Sequence, residues 1–226
     1  MSRATTLARR ILRPGPNAPV VTWTIAGICL VLWVLELLPW TQGFIVNSLA
    51  YAPFLTPYEP WRMLTSAFLH SWSSFWHILF NMYALLVFGP LVEMMLGRWR
   101  YLALYLLAAL GGSVAVLLLG SLGTVVVGAS GAIFGLLAAV VVLQRGFGSN
   151  PTQLIVVIVL NFVIGFVATG ISWQAHLGGL AIGALVAWIC LRTRGPRLRS
   201  RQVGLLLAVF AGLVALTIVG VVVRLG

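Results

Sequence analysis

The chain has 226 residues, of which 61% are hydrophobic and 8% charged, against about 45–50% apolar and about 25% charged in ordinary soluble domains. Together with a mean hydropathy of +1.08, this excludes a soluble globular domain. The net charge of +11 would suit a nucleic-acid partner, but all 14 basic residues are Arg, set singly or in short clusters between long apolar runs, which is a membrane-topology pattern and not a phosphate-binding face.

A bilayer core takes about 20 apolar residues per helix. In chain order that ruler predicts seven spans, at Val20–Leu38, Ser74–Leu96, Tyr101–Leu119, Val125–Leu143, Leu154–Gly170, Gln174–Leu191 and Val203–Val223. Residues 1–19, with Arg3, Arg9, Arg10 and Arg13 ahead of Pro14, Gly15, Pro16 and Pro19, read as a cytoplasmic N-terminal segment. The first apolar run is too long for a signal-peptide core and no small-residue cleavage site follows it, so it is expected to be retained. Residues 39–73 carry Trp40, Phe44, Tyr51, Phe54, Tyr58, Trp61, Phe68 and Trp72, punctuated by Pro53, Pro57 and Pro60, as suits an interfacial loop packed beside the bundle. Spans one to six form a core at 20–191, followed by an Arg-rich cytoplasmic loop at 192–202 and an additional C-terminal helix at 203–226. With the N-terminus inside, twelve arginines fall on the cytoplasmic side, against Arg62 and Arg224 outside. The positive-inside rule therefore predicts a multi-pass plasma-membrane protein with a cytoplasmic N-terminus and an extracytoplasmic C-terminus.

The only acids are Glu36, Glu59 and Glu93, so a Ser-His-Asp triad, a paired-carboxylate glycosidase site and an Asp-rich metal site are excluded by inventory. Cys29 and Cys190 both lie in apolar stretches and suggest neither a disulfide framework nor a zinc site. No metal and no cofactor is expected. Polar groups inside a membrane are costly unless paired or useful, which singles out four residues at one depth. His77 and Asn81 are four residues apart and share a helix face in the outer part of the second span. Ser130 is expected five residues into the fourth span, roughly 8 Å deep, and His176 near the outer start of the sixth. The pairs Gly131/Gly135 and Gly179/Gly183 have the small-xxx-small spacing that lets helices touch. Close approach would put the Ser130 hydroxyl within reach of the His176 imidazole, the minimum for nucleophilic acyl transfer. An imidazole titrating near its ordinary value of about 6.5 serves that role without an Asp. His77, Asn81 and the Ser130 N–H can serve as oxyanion donors. His70 is read as a loop staple and Glu93 as a local ion-pair partner of Arg98 and Arg100.

These residues resemble the rhomboid family of intramembrane serine proteases. Trp61-Arg62, Leu69-His70 and the run from His77 to Asn81 are similar to its interfacial-loop and second-helix signature. Gly128-Ala129-Ser130-Gly131 is similar to its G-x-S-G motif, Ala175-His176-Leu177-Gly178-Gly179 to its A-H-x-x-G motif, and Glu93-Met94-Met95-Leu96-Gly97 to the end of its second helix. The resemblance covers about residues 20–191. It implies an all-α polytopic bundle of six core helices plus a seventh, with Ser130 as nucleophile, His176 as general base, and His77 with Asn81 in the oxyanion hole. Membrane-protein substrates with a transmembrane segment are implied as partners, cleaved near the outer face, with the lipid bilayer around them and access gated near the fifth span and the loop Thr169–Trp173. One departure is Phe134, where many members have Tyr stacked on the catalytic His. The α/β-hydrolase elbow is excluded because its second Gly is Ala132 here. Two rivals remain. A non-catalytic rhomboid-like binder of transmembrane helices would be expected to lose Ser or His. A small transporter would align ionisable groups along a midplane path, whereas Glu36 and Glu93 sit near opposite faces.

Overall fold

The computed structural model describes residues 18–167 and 170–226. Arg3, Arg9, Arg10 and Arg13 of the N-terminal segment and Thr169 of the expected gating loop lie outside the described residues. Those described form nine α-helices: α1 (Val20–Glu36), α2 (Pro39–Leu49), α3 (Arg62–Thr65), α4 (Phe75–Leu96), α5 (Arg98–Leu119), α6 (Ser130–Gly146), α7 (Thr152–Val167), α8 (Trp173–Arg192) and α9 (Arg199–Leu225). By length and composition α4, α5, α8 and α9 are each able to cross a membrane, the last with the turn Pro196–Leu198 leading into it, while α1, α6 and α7 are shorter apolar helices. These seven correspond to the seven apolar runs, and the chain is a polytopic helical membrane protein. Leu207, Val222 and Val223 on α9 and Phe166 on α7 are exposed, as expected where lipid rather than water is the solvent.

Helices α5, α6 and α8 form the centre, and glycine explains how closely they lie. A Cβ on Gly183 would collide with the Gly135 backbone, one on Gly179 with the Gly131 carbonyl, and one on Gly178 with the Gly111 carbonyl. Main chains therefore meet with no side chain between them. Gly111, Gly112 and Gly178 belong to this seam as fully as the Gly131/Gly135 and Gly179/Gly183 pairs.

About half of the segment between α1 and α4 is helical. Trp61 Nε1 donates to the Ser48 carbonyl at 3.1 Å. The Arg62 guanidinium, 6% exposed, donates to the Ala50 carbonyl at 2.9 Å, to the Asn47 carbonyl and to Glu59, tying α3 to the end of α2. Ser113 Oγ donates to the Met63 carbonyl at 2.7 Å and Tyr105 Oη to the Ala67 carbonyl at 3.3 Å, which seats the segment on α5.

Two expectations are corrected. The fourth apolar run does not enter a helix at Val125: Val125–Ala129 is non-helical, Val126 pairs with Tyr51 in an isolated antiparallel bridge, and Gly128 takes φ +128°, so Ser130 is the first residue of α6. The apolar composition concealed a backbone conformation that only glycine adopts readily. Glu93 is no partner of Arg98 or Arg100. Its carboxylate accepts from Val21 N at 3.0 Å, Thr22 N at 2.8 Å and Thr22 Oγ1 at 2.8 Å, capping α1 where free N–H groups and the helix dipole favour an anion. Arg100 instead donates to Gln202 Oε1 at 2.7 Å and Arg98 to the Ala18 carbonyl at 3.4 Å.

Helix α9 is held by polar contacts at both ends. Buried Gln202 receives the Arg100 bond and donates to Thr193 Oγ1 at 2.7 Å. At the other end Arg224 donates to the Leu118 carbonyl and, at 2.8 Å, to the Gly120 carbonyl, meeting the last carbonyls of α5 with positive charge.

Candidate active site

Ser130 opens α6, and its hydroxyl lies 3.0 Å from His176 Nε2 on α8. The approach is set by neighbouring residues: a Cβ on Gly131 would lie 3.2 Å from the Ala175 carbonyl, so the residue after the serine touches the residue before the histidine. His176 is 5% exposed and packed closely by α6 and α7. Phe134, one turn beyond Ser130, stacks on its ring nearly parallel, at 4.1 Å between centroids and 11° between planes. Phe162 of α7 meets Phe134 edge-on at 6.5 Å. Gly165 of α7 lies so close that a Cβ there would be 3.0 Å from His176 Nδ1, an atom with no hydrogen-bond partner among the described residues. Ser172 caps α8, accepting from Ala175 N at 3.3 Å, which fixes the turn that carries the histidine.

His77 reaches the same place from α4. A Cβ on Gly128 would fall 2.8 Å from His77 Nε2 and 3.8 Å from Ser130 Oγ, so both face the Gly128 backbone. His77 Nδ1 accepts the Ser71 N–H at 3.2 Å. An acceptor nitrogen carries no proton, so in the neutral ring the proton is on Nε2, the nitrogen that faces the Gly128 backbone beside Ser130. Asn81 is buried on the same face, and its Nδ2 donates to the His77 carbonyl at 2.8 Å, engaging one of its two amide hydrogens. The N-cap of α6 is Ala129, which has no capping side chain, leaving the Ser130 and Gly131 N–H groups without intrahelical partners. Ser130, His176, His77, Gly128, Gly131, Phe134 and Gly179 thus come together around one point, with Asn81 one turn behind His77.

Residues that sequence reasoning left in the background also border the site. His70 is buried, its ring 5.3 Å from that of His77, and neither ring nitrogen has a partner among the described residues. Burial, with a smaller contribution from His77, pushes its pKa down to about 3. Its backbone N–H donates to Glu36 Oε2 at 3.4 Å. Gly165 carries no sequence signal that separates it from any other helical glycine. Among the described residues no three His, Cys or Glu side chains gather as a metal site would require.

A hydroxyl held against an imidazole at the end of a buried helix, with proton donors across from it, defines a helical membrane protein with a candidate acyl-transfer centre. Residues 57–193 match the Rhomboid domain family. The chain is 33% identical over 190 residues to the rhomboid-family protein YdcA of Bacillus subtilis (strain 168), covering 79% of this chain and 92% of that one. It is 36% identical over 141 residues to RHOMBOID-like protein 5 of Arabidopsis thaliana, covering 59% of this chain and 45% of that one. Against Rhomboid protease GluP of B. subtilis (strain 168) it is 37% identical over 137 residues, covering 57% and 26%. The chain belongs to the rhomboid family, a family of intramembrane proteases.

Proposed function

We propose that the chain is a serine endopeptidase hydrolysing peptide bonds in or next to transmembrane segments of membrane-protein substrates. The observation that carries this reading is the 3.0 Å contact between Ser130 Oγ and His176 Nε2. As the Ser130 oxygen attacks the substrate carbonyl, its proton passes to His176 Nε2. The negative charge that develops on the carbonyl oxygen is met by His77 Nε2–H, the free Ser130 and Gly131 N–H groups and the Asn81 amide, all oriented before the reaction begins. His176 then gives its proton to the departing amine, leaving an acyl ester on Ser130. Water, deprotonated by the same imidazole, hydrolyses the ester and restores the serine. A helical substrate must unwind before its carbonyl can be attacked, so helix-weakening residues at the cleaved site favour it.

The distribution of arginines supports a multi-pass plasma-membrane protein with its N-terminus cytoplasmic and the dyad towards the outer face. In proteoliposomes the wild-type chain is expected to cleave a fluorogenic transmembrane substrate and to be labelled by a fluorophosphonate. Ser130→Ala and His176→Ala should lose turnover, whereas His77→Ala should retain a residue of activity about 10²–10³ below wild type. Labelling or cleavage that survives Ser130→Ala would refute the assignment.

A further inference from the structure

Glu36 is the last residue of α1 and is 1% exposed. A carboxylate at a helix C-terminus opposes the helix dipole, and burial without a cation adds a desolvation penalty. Among the described residues its sole hydrogen bond is from His70 N to Oε2, at 3.4 Å, and Oε1 has none. Such a group contributes little to stability, yet its one contact has a direct line to the site. The next amide in the chain, Ser71 N–H, is the donor to His77 Nδ1 at 3.2 Å. Two successive backbone N–H groups thus link Glu36 to His77, and the rings of His70 and His77 pack at 5.3 Å. If the 70–71 peptide shifts, His77 Nδ1 loses its donor, and nothing then prevents the imidazole proton from moving to Nδ1, which would leave a lone pair instead of an N–H on the nitrogen beside Ser130.

We propose that Glu36 is a positioning residue for the oxyanion side of the site, holding the His70–Ser71 backbone so that His77 keeps its proton on Nε2. This rests on the protease reading for its kinetic consequence, but not for its structural one. The role requires an acceptor on residue 36 and not a charge, which separates it from a general electrostatic effect.

The test uses the full chain in proteoliposomes and two measurements: the ¹⁵N shifts of the His77 imidazole, which report its tautomer, and kcat and KM for a transmembrane substrate. In wild type and in Glu36→Gln, whose side-chain oxygen still accepts from His70 N, the Nε2–H tautomer and a kcat within about threefold are expected. In Glu36→Leu the two tautomers should mix and kcat should fall about tenfold with KM unchanged, below the 10²–10³ of losing the donor outright. Glu36→Leu should lower kcat no further in a His77→Ala background. The proposal is overturned by an unchanged tautomer in folded Glu36→Leu, by a Glu36→Gln variant that falls as far as Glu36→Leu, or by an equal loss in the His77→Ala background. Glu36→Ala, which withdraws the acceptor without adding bulk, carries the same expectations if the Leu variant unfolds. Unfolding of both would also overturn the proposal, by making residue 36 a requirement of the fold. Absence of hydrolysis and of Ser130 labelling in wild type refutes the protease reading alone, since the tautomer still reports on Glu36.

Discussion

Replacing Gly179 with Ala tests whether the dyad depends on contact between main chains. The new Cβ would collide with the Gly131 carbonyl on the facing helix, and both partners of the clash are backbone, so no side chain can rotate away. Restoring an ordinary contact requires α6 and α8 to separate by on the order of 1 Å. Ser130 adjoins Gly131, and His176 lies one turn before Gly179, so the separation passes almost undiminished into the 3.0 Å Ser130–His176 contact. That contact would open to about 4 Å, beyond hydrogen-bond range. A misplacement of about 1 Å in reacting groups lowers rates by about 10²-fold, and overpacking of this kind destabilises by about 1–3 kcal/mol. The assay is kcat on a transmembrane substrate in proteoliposomes, with the rate of fluorophosphonate labelling as a substrate-independent measure of Ser130. Gly204→Ala is the control, because nothing lies within 4 Å of a Cβ there, and helix propensity favours Ala by about 1 kcal/mol. A folded Gly179→Ala protein that keeps kcat and labelling within threefold of wild type would refute the reasoning.

Phe134→Leu removes the stacked ring from His176 and should lower kcat by up to about tenfold, the equivalent of about 0.5–1.5 kcal/mol of stacking; an unchanged kcat would show that the ring does not position the base. Glu93→Gln sets an amide NH₂ against either the Val21 or the Thr22 donor, and thermal unfolding should report a loss of about 1.5–3 kcal/mol with kcat of the folded protein unchanged. His70 takes up a proton near pH 3 when folded but near pH 6.5 when unfolded, so between these values the unfolded chain binds more protons. Its contribution to stability is therefore complete above about pH 6.5 and declines as pH falls towards 3. Unfolding temperatures measured from pH 7.5 to 4.5 should fall, and His70→Phe should flatten that slope.

The seven helices were legible in the sequence because a bilayer imposes a length on each apolar run, and the four candidate site residues stood out because polar groups inside such runs are few. What escaped were features that hydropathy does not encode. Val125–Ala129 reads as the start of a span by composition, yet Gly128 and the pairing of Val126 with Tyr51 keep it out of the helix. The aromatic and proline-rich 39–73 segment reads as a loop, but Pro39 can occupy the first turn of a helix and α2 follows from it. Glu93 was matched to arginines near it in sequence, whereas its partners lie 71 and 72 residues away. Glu36 and His70 are separated by 34 residues, and the role of Gly165 depends on which ring lies opposite, so neither has a local signature.

The late start of α6 has a thermodynamic consequence. With 17 residues it provides about 26 Å of helix at 1.5 Å per residue, short of the roughly 30 Å of a hydrocarbon core. Non-helical backbone at that depth persists only where protein or water satisfies its polar groups. Val126 finds Tyr51 and Gly128 N–H finds the Ser66 carbonyl, while the free amides at the start of α6 call for solvent. The late helix start thus leaves main-chain amides beside Ser130 that water would satisfy. Solvent drawn to those amides would stand beside the Ser130 hydroxyl, where the proposed hydrolysis consumes it.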